Sequence, residues 1–367
     1  MRIMLVGGGS GGPVSPLLAV AEKIRLRHPK AEFMLVGGKS GPEEKMAAEA
    51  CVDFRAISSG KWRRYFSWKN FLAPFLALAG FVRSVRLLRA FRPDCVFGAG
   101  SFVQVPVVWA AYLLKIPVLI HQQDLVPGLA NKLSQFAAKK ITVTFKATLS
   151  GFPSSLGLIY KKNNNKVVLT GNPFREQLEN GTLKEAQKAF GLKIDFPTLL
   201  VLGGGTGAEF FNRLIEESLP ELLKTVQVIH STGRGKAAAK RQELYYPFEF
   251  LSAEQLANAY AAADIVLARA GLSTITELAN LGKMAVIIPM PDSHQDFNAG
   301  YLYNRHAAIV FQQKRVKAKN FVMLVRKLIF AQELKQELQH NIRQIMPKGA
   351  ADKIADEIIK LALKQIA

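Results

Sequence analysis

Three stretches of this sequence set hydroxyl, carboxyl, amide and imidazole groups directly after runs that read as buried strands. The first is GGGSGG at 7–12, after RIMLV. Glycines at such a place let the backbone turn sharply and bring its N–H groups close to an anion, most often a phosphate. The second is ARAGLSTITE at 268–277, where a loop with Arg269 and Gly271 leads into a helix beginning near Ser273 or Thr274. First-turn N–H groups, with the Ser273 and Thr274 hydroxyls, form a seat for a diphosphate. Glu277, about one turn further in, has two oxygens with which to accept from ribose hydroxyls. Thr274-x-x-Glu277 is equally a capping box, in which the carboxylate serves only its own helix, and spacing does not choose between the two. The third stretch, DSHQDFNAG at 292–300, presents His294, Gln295, Asp296 and Asn298. These donors and acceptors suit sugar hydroxyls, and they suit a surface turn entering a helix just as well.

The elements that must hold these groups alternate. Strand-like runs occur at 2–6, 33–37, 94–97, 117–120, 141–144 and 166–169, with helical patterns at 16–27, 43–50, 70–91 and 127–138. A second series has strands at 198–202, 226–230, 264–267 and 284–288, and it opens with TLLVLGGGTGA much as the first opens with RIMLVGGGSGG. The pattern predicts an α/β chain of two Rossmann-like domains facing across a cleft, with ligands outside the carboxyl ends of the strands. The expected division is 1–163, 164–346 after the polar KKNNN stretch, and a C-terminal helical segment, 347–367, returning toward the first domain. A nicotinamide dinucleotide is disfavoured, because the second strand, FMLVG, ends in Gly37-Gly38-Lys39 without the acid that would hold a ribose.

Composition narrows the class. Of the 367 residues, 49% are apolar and 21% charged, a globular balance. The two cysteines, Cys51 and Cys95, are far apart and suggest no disulfide framework, which fits a reducing cytosol. The first strand begins at residue 2, so no secretory leader is expected, and the longest apolar run, the twelve residues 71–82, is too short to span a bilayer. The net charge of +21 is uneven: residues 1–165 carry 23 Lys and Arg against 8 Asp and Glu. No acid lies between Asp53 and Asp94, where Lys61, Arg63, Arg64, Arg83 and other basic residues alternate with Trp62, Trp68, Phe75 and further aromatics. That mixture reads as a surface for anionic lipid, or as a core helix with a solvated basic edge. Nucleic acid is disfavoured for lack of a zinc-finger, helix-turn-helix or RNP-type pattern.

Taken together, GGGSGG at 7–12, HQQD at 121–124 with GLANK at 128–132, GNPFR at 171–175, GGGTG at 203–207 and the stretch from Ala268 to Glu277 with His294, Gln295, Asn298 and Ala299 resemble the MurG family of peptidoglycan glycosyltransferases. The resemblance runs in order from residue 2 to about 300. It implies a GT-B fold, inverting transfer of N-acetylglucosamine from UDP-GlcNAc to undecaprenyl-linked lipid I without metal or other cofactor, and attachment to the anionic cytoplasmic face of the membrane; the alternatives are another GT-B lipid glycosyltransferase with a different acceptor, or a GT-B binding protein with impaired catalysis. The cell-wall synthesis machinery is implied as a further partner.

Residue by residue, the resemblance gives Glu277 to the ribose, Leu272, Ser273 and Thr274 to the diphosphate, and Gln295 to the GlcNAc hydroxyls. The uracil contact falls on backbone between Leu251 and Gln255. From the first domain Ser10, Gly11, Gly12, Asp124 and Arg175 match donor-contacting positions. The chain departs from the family at three places. Gly205 stands where a phosphate-binding Ser is usual, which leaves the backbone or Thr206 for that contact. Pro13 replaces a His, and is read as the first residue of a helix, where its missing N–H does no harm. His121-Gln122-Gln123-Asp124 replaces His-Glu-Gln-Asn, so a carboxylate is lost at 122 and gained at 124; Asp124 and His121 are the candidates for a general base.

Overall fold

Two parallel sheets carry the chain. The structure is a computed structural model that describes residues 1–9, 11–39, 41–59, 69–152, 166–204, 209–236 and 240–366, with the side chains of 69–75 and 366 outside that description. The first compact unit is Met1–Phe174 with Met346–Ala367, and the second is Arg175–Ile345.

In the first unit the strands are β1 (Arg2–Val6), β2 (Glu32–Gly37), β3 (Asp53–Ala56), β4 (Cys95–Gly98), β5 (Val118–Gln122), β6 (Lys140–Val143) and β7 (Val167–Leu169), in the order β3-β2-β1-β4-β5-β6-β7. Neighbouring strands pair in parallel, and helices α1 (Gly11–Arg27), α2 (Glu43–Glu49), α3 (Lys69–Phe91), α4 (Gln104–Leu113) and α5 (Leu129–Ser134) connect them. Because strand side chains alternate between faces, β1 feeds two cores. Ile3 and Leu5 join Val14, Leu17 and Ile24 of α1, while Met4 and Val6 join Val107, Val108 and Ala111 of α4. A strand buried on both faces must be apolar throughout, which is why RIMLV shows no alternation.

The second unit has α6 (Leu183–Phe190), then β8 (Thr198–Leu202), α7 (Glu209–Leu222), β9 (Gln227–Ser231), β10 (Tyr245–Phe248), α8 (Ala253–Ala262), β11 (Ile265–Ala268), α9 (Leu272–Leu281), β12 (Ala285–Ile287), α10 (Gln295–Tyr303), β13 (Ile309–Val310), α11 (Ala318–Phe330) and α12 (Gln332–Arg343). Its sheet runs β10-β9-β8-β11-β12-β13, the same winding as the first. In each, the strand order reverses beside the opening strand, between β1 and β4 and between β8 and β11, and such a reversal opens a crevice at the carboxyl ends.

The last helix, α13 (Ala350–Ile366), packs on α1 and β4 of the first unit. Its Ile354, Ile358 and Leu361 enter the core around Ile3 and Leu17, at about 1.5–3 kcal/mol for each large side chain buried. Arg27 also bonds Asp352 and Asp356, but these carboxylates are well exposed, and surface pairs of that kind contribute about 0–1 kcal/mol. Apolar contact therefore holds the helix.

Three features differ from expectation. The division falls at 174/175 rather than 163/164, because β7 pairs with β6 and keeps the first sheet growing past the polar stretch. Helix α1 begins at Gly11, not 16, so Pro13 is its third residue; the absent N–H still belongs to the first turn, which has no intrahelical acceptor. Strands β3, β10 and β13 were not expected: each is an edge strand of four residues or fewer, too short to show a pattern.

Candidate functional site

In the second unit, β11 ends at Ala268 and the chain turns through Arg269, Ala270 and Gly271 into α9, beside the crevice between β8 and β11. Gly271 is the N-cap and makes no side-chain cap, and the first turn of α9 contains no acidic residue. The N–H groups of Leu272, Ser273 and Thr274 therefore open a helix whose positive end has no carboxylate of its own to neutralise it. Ser273 and Thr274 are half-buried and Leu272 is buried. The helix begins three residues earlier than the capping-box reading needs.

Glu277 is turned to other work. One oxygen, Oε1, accepts from the Arg175 guanidinium at 2.6 Å, and Oε2 accepts from the Tyr260 hydroxyl at 2.8 Å. The carboxyl is 7% exposed and Tyr260 is wholly buried. Burial, then the negative charge of Glu277, push the Tyr260 hydroxyl well above its ordinary range, so it stays protonated and serves as a donor. Arg175, expected among first-domain contacts, opens the second unit instead.

The surrounding loops are tied to the same strand ends. Arg269 donates to the carbonyls of Ile288 and Pro289 at 3.0 and 2.9 Å and lies over the Phe211 ring, which fixes the loop after β11 to the end of β12. Asn298 donates to the Ala270 carbonyl at 3.2 Å. Gln295 is half-buried, and its Oε1 accepts from the Met290 N–H at 3.0 Å, leaving the amide NH2 as its donating end. His294 and Asp296 are exposed. Leu251 is buried beside a complete capping box in which Ser252 and Gln255 exchange bonds, so the N–H groups of those two residues are already used. Gly205 and Thr206 lie outside the described residues.

In the first unit, Gly11 and Gly12 form the half-buried start of α1, while Ser10 lies outside the described residues. His121 and Asp124 follow one another at the end of β5, in different environments. His121 is fully buried; its Nε2–H donates to Asn172 Oδ1 at 2.9 Å, and Nδ1 faces the Thr142 hydroxyl at 2.9 Å. Burial lowers its pKa to about 4. With both nitrogens engaged inside the core, His121 has no face left for a substrate hydroxyl, which corrects its expected role as a base.

Asp124 is half-buried on the following loop, and its backbone carbonyl accepts from Gln122 Nε2 at 2.7 Å. Gln122 also donates to Val126 O, while its Oε1 accepts from Asn131, which in turn accepts from Gln104. An ionised Glu at 122 could accept from Asn131 but could not donate to two carbonyls, so the amide suits this loop. Sequence reasoning missed Tyr260, the tie that Arg269 makes to the end of β12 and this amide network, because nothing in the spacing reveals which buried polar groups meet. Among the described residues no three His, Cys, Asp or Glu side chains gather as a ligand set for a metal.

Both halves of the chain match known glycosyltransferases. The glycosyltransferase family 28 N-terminal domain matches residues 3–143, and its C-terminal domain matches 198–356. The UDP-N-acetylglucosamine--N-acetylmuramyl-(pentapeptide) pyrophosphoryl-undecaprenol N-acetylglucosamine transferase of Clostridium tetani (strain Massachusetts / E88) is 35% identical over 365 residues, 98% of each chain. The enzyme of the same name from Legionella pneumophila (strain Lens) is 36% identical over 358 residues, covering 96% of this chain and 94% of its own. The crystal structure of Acinetobacter baumannii MurG superposes with a TM-score of 0.72 at 27% identity, over 98% of this chain and 99% of that one. Matched in both halves and across nearly its full length, this chain belongs to glycosyltransferase family 28, in the MurG family.

Proposed function

We propose that this chain moves N-acetylglucosamine from UDP-GlcNAc to undecaprenyl-diphosphate-linked muramoyl peptide, lipid I, to give lipid II, with inversion at the sugar and without a metal. The observation that carries the reading is the Glu277 carboxyl, held by Tyr260 and Arg175 beside the uncapped start of α9. A carboxyl fixed there accepts from the ribose hydroxyls, while the first-turn N–H groups and the Ser273 and Thr274 hydroxyls receive the diphosphate. Arg175 joins them on the diphosphate, since its partner oxygen on Glu277 is one the ribose also needs. As the bond from sugar to phosphate breaks, negative charge grows on the leaving UDP, and these dipoles and the guanidinium stabilise it without reorganising. No DxD triplet occurs in the sequence, which favours the metal-free route.

Within 251–255 the uracil contact falls to Leu251, Ala253 or Glu254, since Ser252 and Gln255 have given their N–H groups to the capping box. Gln295 offers its amide NH2 to a sugar hydroxyl. Ser10, Gly11 and Gly12, with Gly205 and Thr206 in the second glycine loop, remain assigned to the substrate's charged groups. Asp124 is the candidate that takes the proton from the acceptor hydroxyl.

The first unit also supplies the face we assign to the anionic membrane surface. Helix α3 packs on α4, and α4 on α5. These helices leave Leu78, Trp109, Tyr112, Leu113 and Leu133 exposed, with Arg83, Arg86 and Lys132 exposed on the same helices and Lys115 and Phe136 exposed just past the ends of α4 and α5. Helix α3 is also a core helix, burying Ser84 and Leu88 on its other side. Lys61, Trp62, Arg63, Arg64 and Trp68, and the side chain of Phe75, lie outside the described residues. No described helix is long and apolar enough to cross a bilayer, so the surface is read as one that rests on lipid, at the cytoplasmic face.

The test is UDP release from UDP-GlcNAc by the purified full chain with a lipid I analogue and a chelator present. Turnover that needs both substrates and survives chelation is expected; release independent of the acceptor, or none, overturns the reading.

A further inference from the structure

Glu43 is the first residue of α2 and is 1% exposed, whereas Glu44 beside it is exposed. A carboxyl at such depth is unfavourable unless something bonds it. Its partner comes from a distant part of the chain: Oε1 accepts the N–H of Gly9, 34 residues earlier, in the opening glycine loop. Two glycines clear the space it occupies. A Cβ on Gly8 would stand 2.3 Å from Oε1 and one on Gly41 1.9 Å from Oε2. They belong to the loop after β1 and the turn before α2, so two separate stretches forgo a side chain around one carboxyl. Gly9 itself takes φ +84, a left-handed turn that glycine adopts without strain.

We infer that Glu43 is a positioning residue for the opening loop. By pinning Gly9 it sets the direction in which the next N–H groups, at the start of α1, meet the charged group they hold. A side chain present only to fill volume would be apolar, and would leave the Gly9 N–H without an acceptor. The inference rests on the transfer reaction proposed above. Part of what looked in sequence like an open phosphate cradle is thus spoken for by the protein's own carboxyl, and Gly8 is glycine for that carboxyl's sake.

Steady-state kinetics of UDP release with the lipid I analogue test this in the full chain, each variant assayed well below its own unfolding midpoint so that lost stability alone does not lower the rate. Glu43→Ala is expected to lower kcat/KM about 10- to 100-fold, the scale of a small misplacement of binding groups. Glu43→Gln recovers most of the rate, because its amide oxygen still accepts from Gly9. Gly8→Ala, whose Cβ displaces the carboxyl, falls by a factor like that of Glu43→Ala, and the double variant Gly8→Ala/Glu43→Ala is no worse than Glu43→Ala alone. A folded Glu43→Ala chain with wild-type kcat/KM, a Gln variant as poor as Ala, or additive losses in the double variant each overturn the inference while leaving the transferase reading intact. A wild-type chain without UDP release overturns both.

Discussion

Replacing Tyr260 by Phe removes one oxygen from a fully buried side chain and opens no cavity for its neighbours to fill. What is lost is the donor at 2.8 Å to Glu277 Oε2. Hydrogen bonds to charged groups contribute about 1.5–3 kcal/mol, and an acceptor abandoned in the interior loses its solvation as well. Before UDP binds, Glu277 keeps its bond from Arg175, but one contact on one oxygen does not fix the carboxyl plane. If about 1.4 kcal/mol of the loss appears in ligand binding, the Kd for UDP rises about tenfold. Isothermal titration of UDP into wild type and Tyr260→Phe measures the difference. Titration of 2′,3′-dideoxy UDP isolates the cause, since that ligand has no ribose diol for Glu277 to accept from. The expected result is a tenfold loss for UDP and little change for the dideoxy compound. Equal losses for both ligands, or none for either, would refute the argument that Tyr260 orients Glu277 for a ribose.

Further tests address acidity, the base and the lipid surface. Burial holds His121 and His230 each at a pKa of about 4, against about 6.5 in an unfolded chain. Between those values the unfolded chain binds more protons, so stability is full above about pH 6.5 and falls with acidification. At pH 5 each His accounts for a loss of about 2 kcal/mol, and urea midpoints that do not move between pH 7.5 and pH 5 would contradict it. Asp124→Asn is expected to lower kcat about 10²- to 10⁴-fold with little change in KM, the usual scale for a general base, and unchanged turnover removes it from that role. Replacing Leu78 and Leu113 together by Glu is expected to weaken sedimentation with anionic vesicles at least tenfold with little change in the unfolding midpoint, because the two residues are 62% and 64% exposed.

The two sheets were legible because parallel strands buried on both faces are short unbroken apolar runs, and glycine loops mark their ends. RIMLV and TLLVL could hardly be anything else. DFRA, by contrast, is a half-exposed edge strand whose alternation lasts four residues, and it left no usable signal. At the site, Glu277 could be named but not assigned, since Thr274 at three residues' distance allowed a capping box. The structure excludes the capping box by starting α9 at Leu272 and gives the carboxyl oxygens the partners Arg175 and Tyr260. Those partners are 102 and 17 residues away in sequence, and no local pattern joins them. His121 misled for a related reason: a histidine at a strand end looks the same whether its ring faces solvent or the core.

The return of α13 to the first unit has a consequence for how the protein is made. Asp352 lies 325 residues beyond the arginine it bonds on α1. At about 5–20 residues per second, a ribosome takes roughly 15–65 s to travel that distance. For the part of that interval that follows synthesis of its own strands, the nascent first unit exposes the apolar groove that Ile354, Ile358 and Leu361 will later fill. The second unit, one uninterrupted stretch of chain, has all its strands out of the ribosome before the first unit is whole. Synthesis therefore finishes the loop that bears Gly9 on a scaffold sealed only by the last helix to emerge.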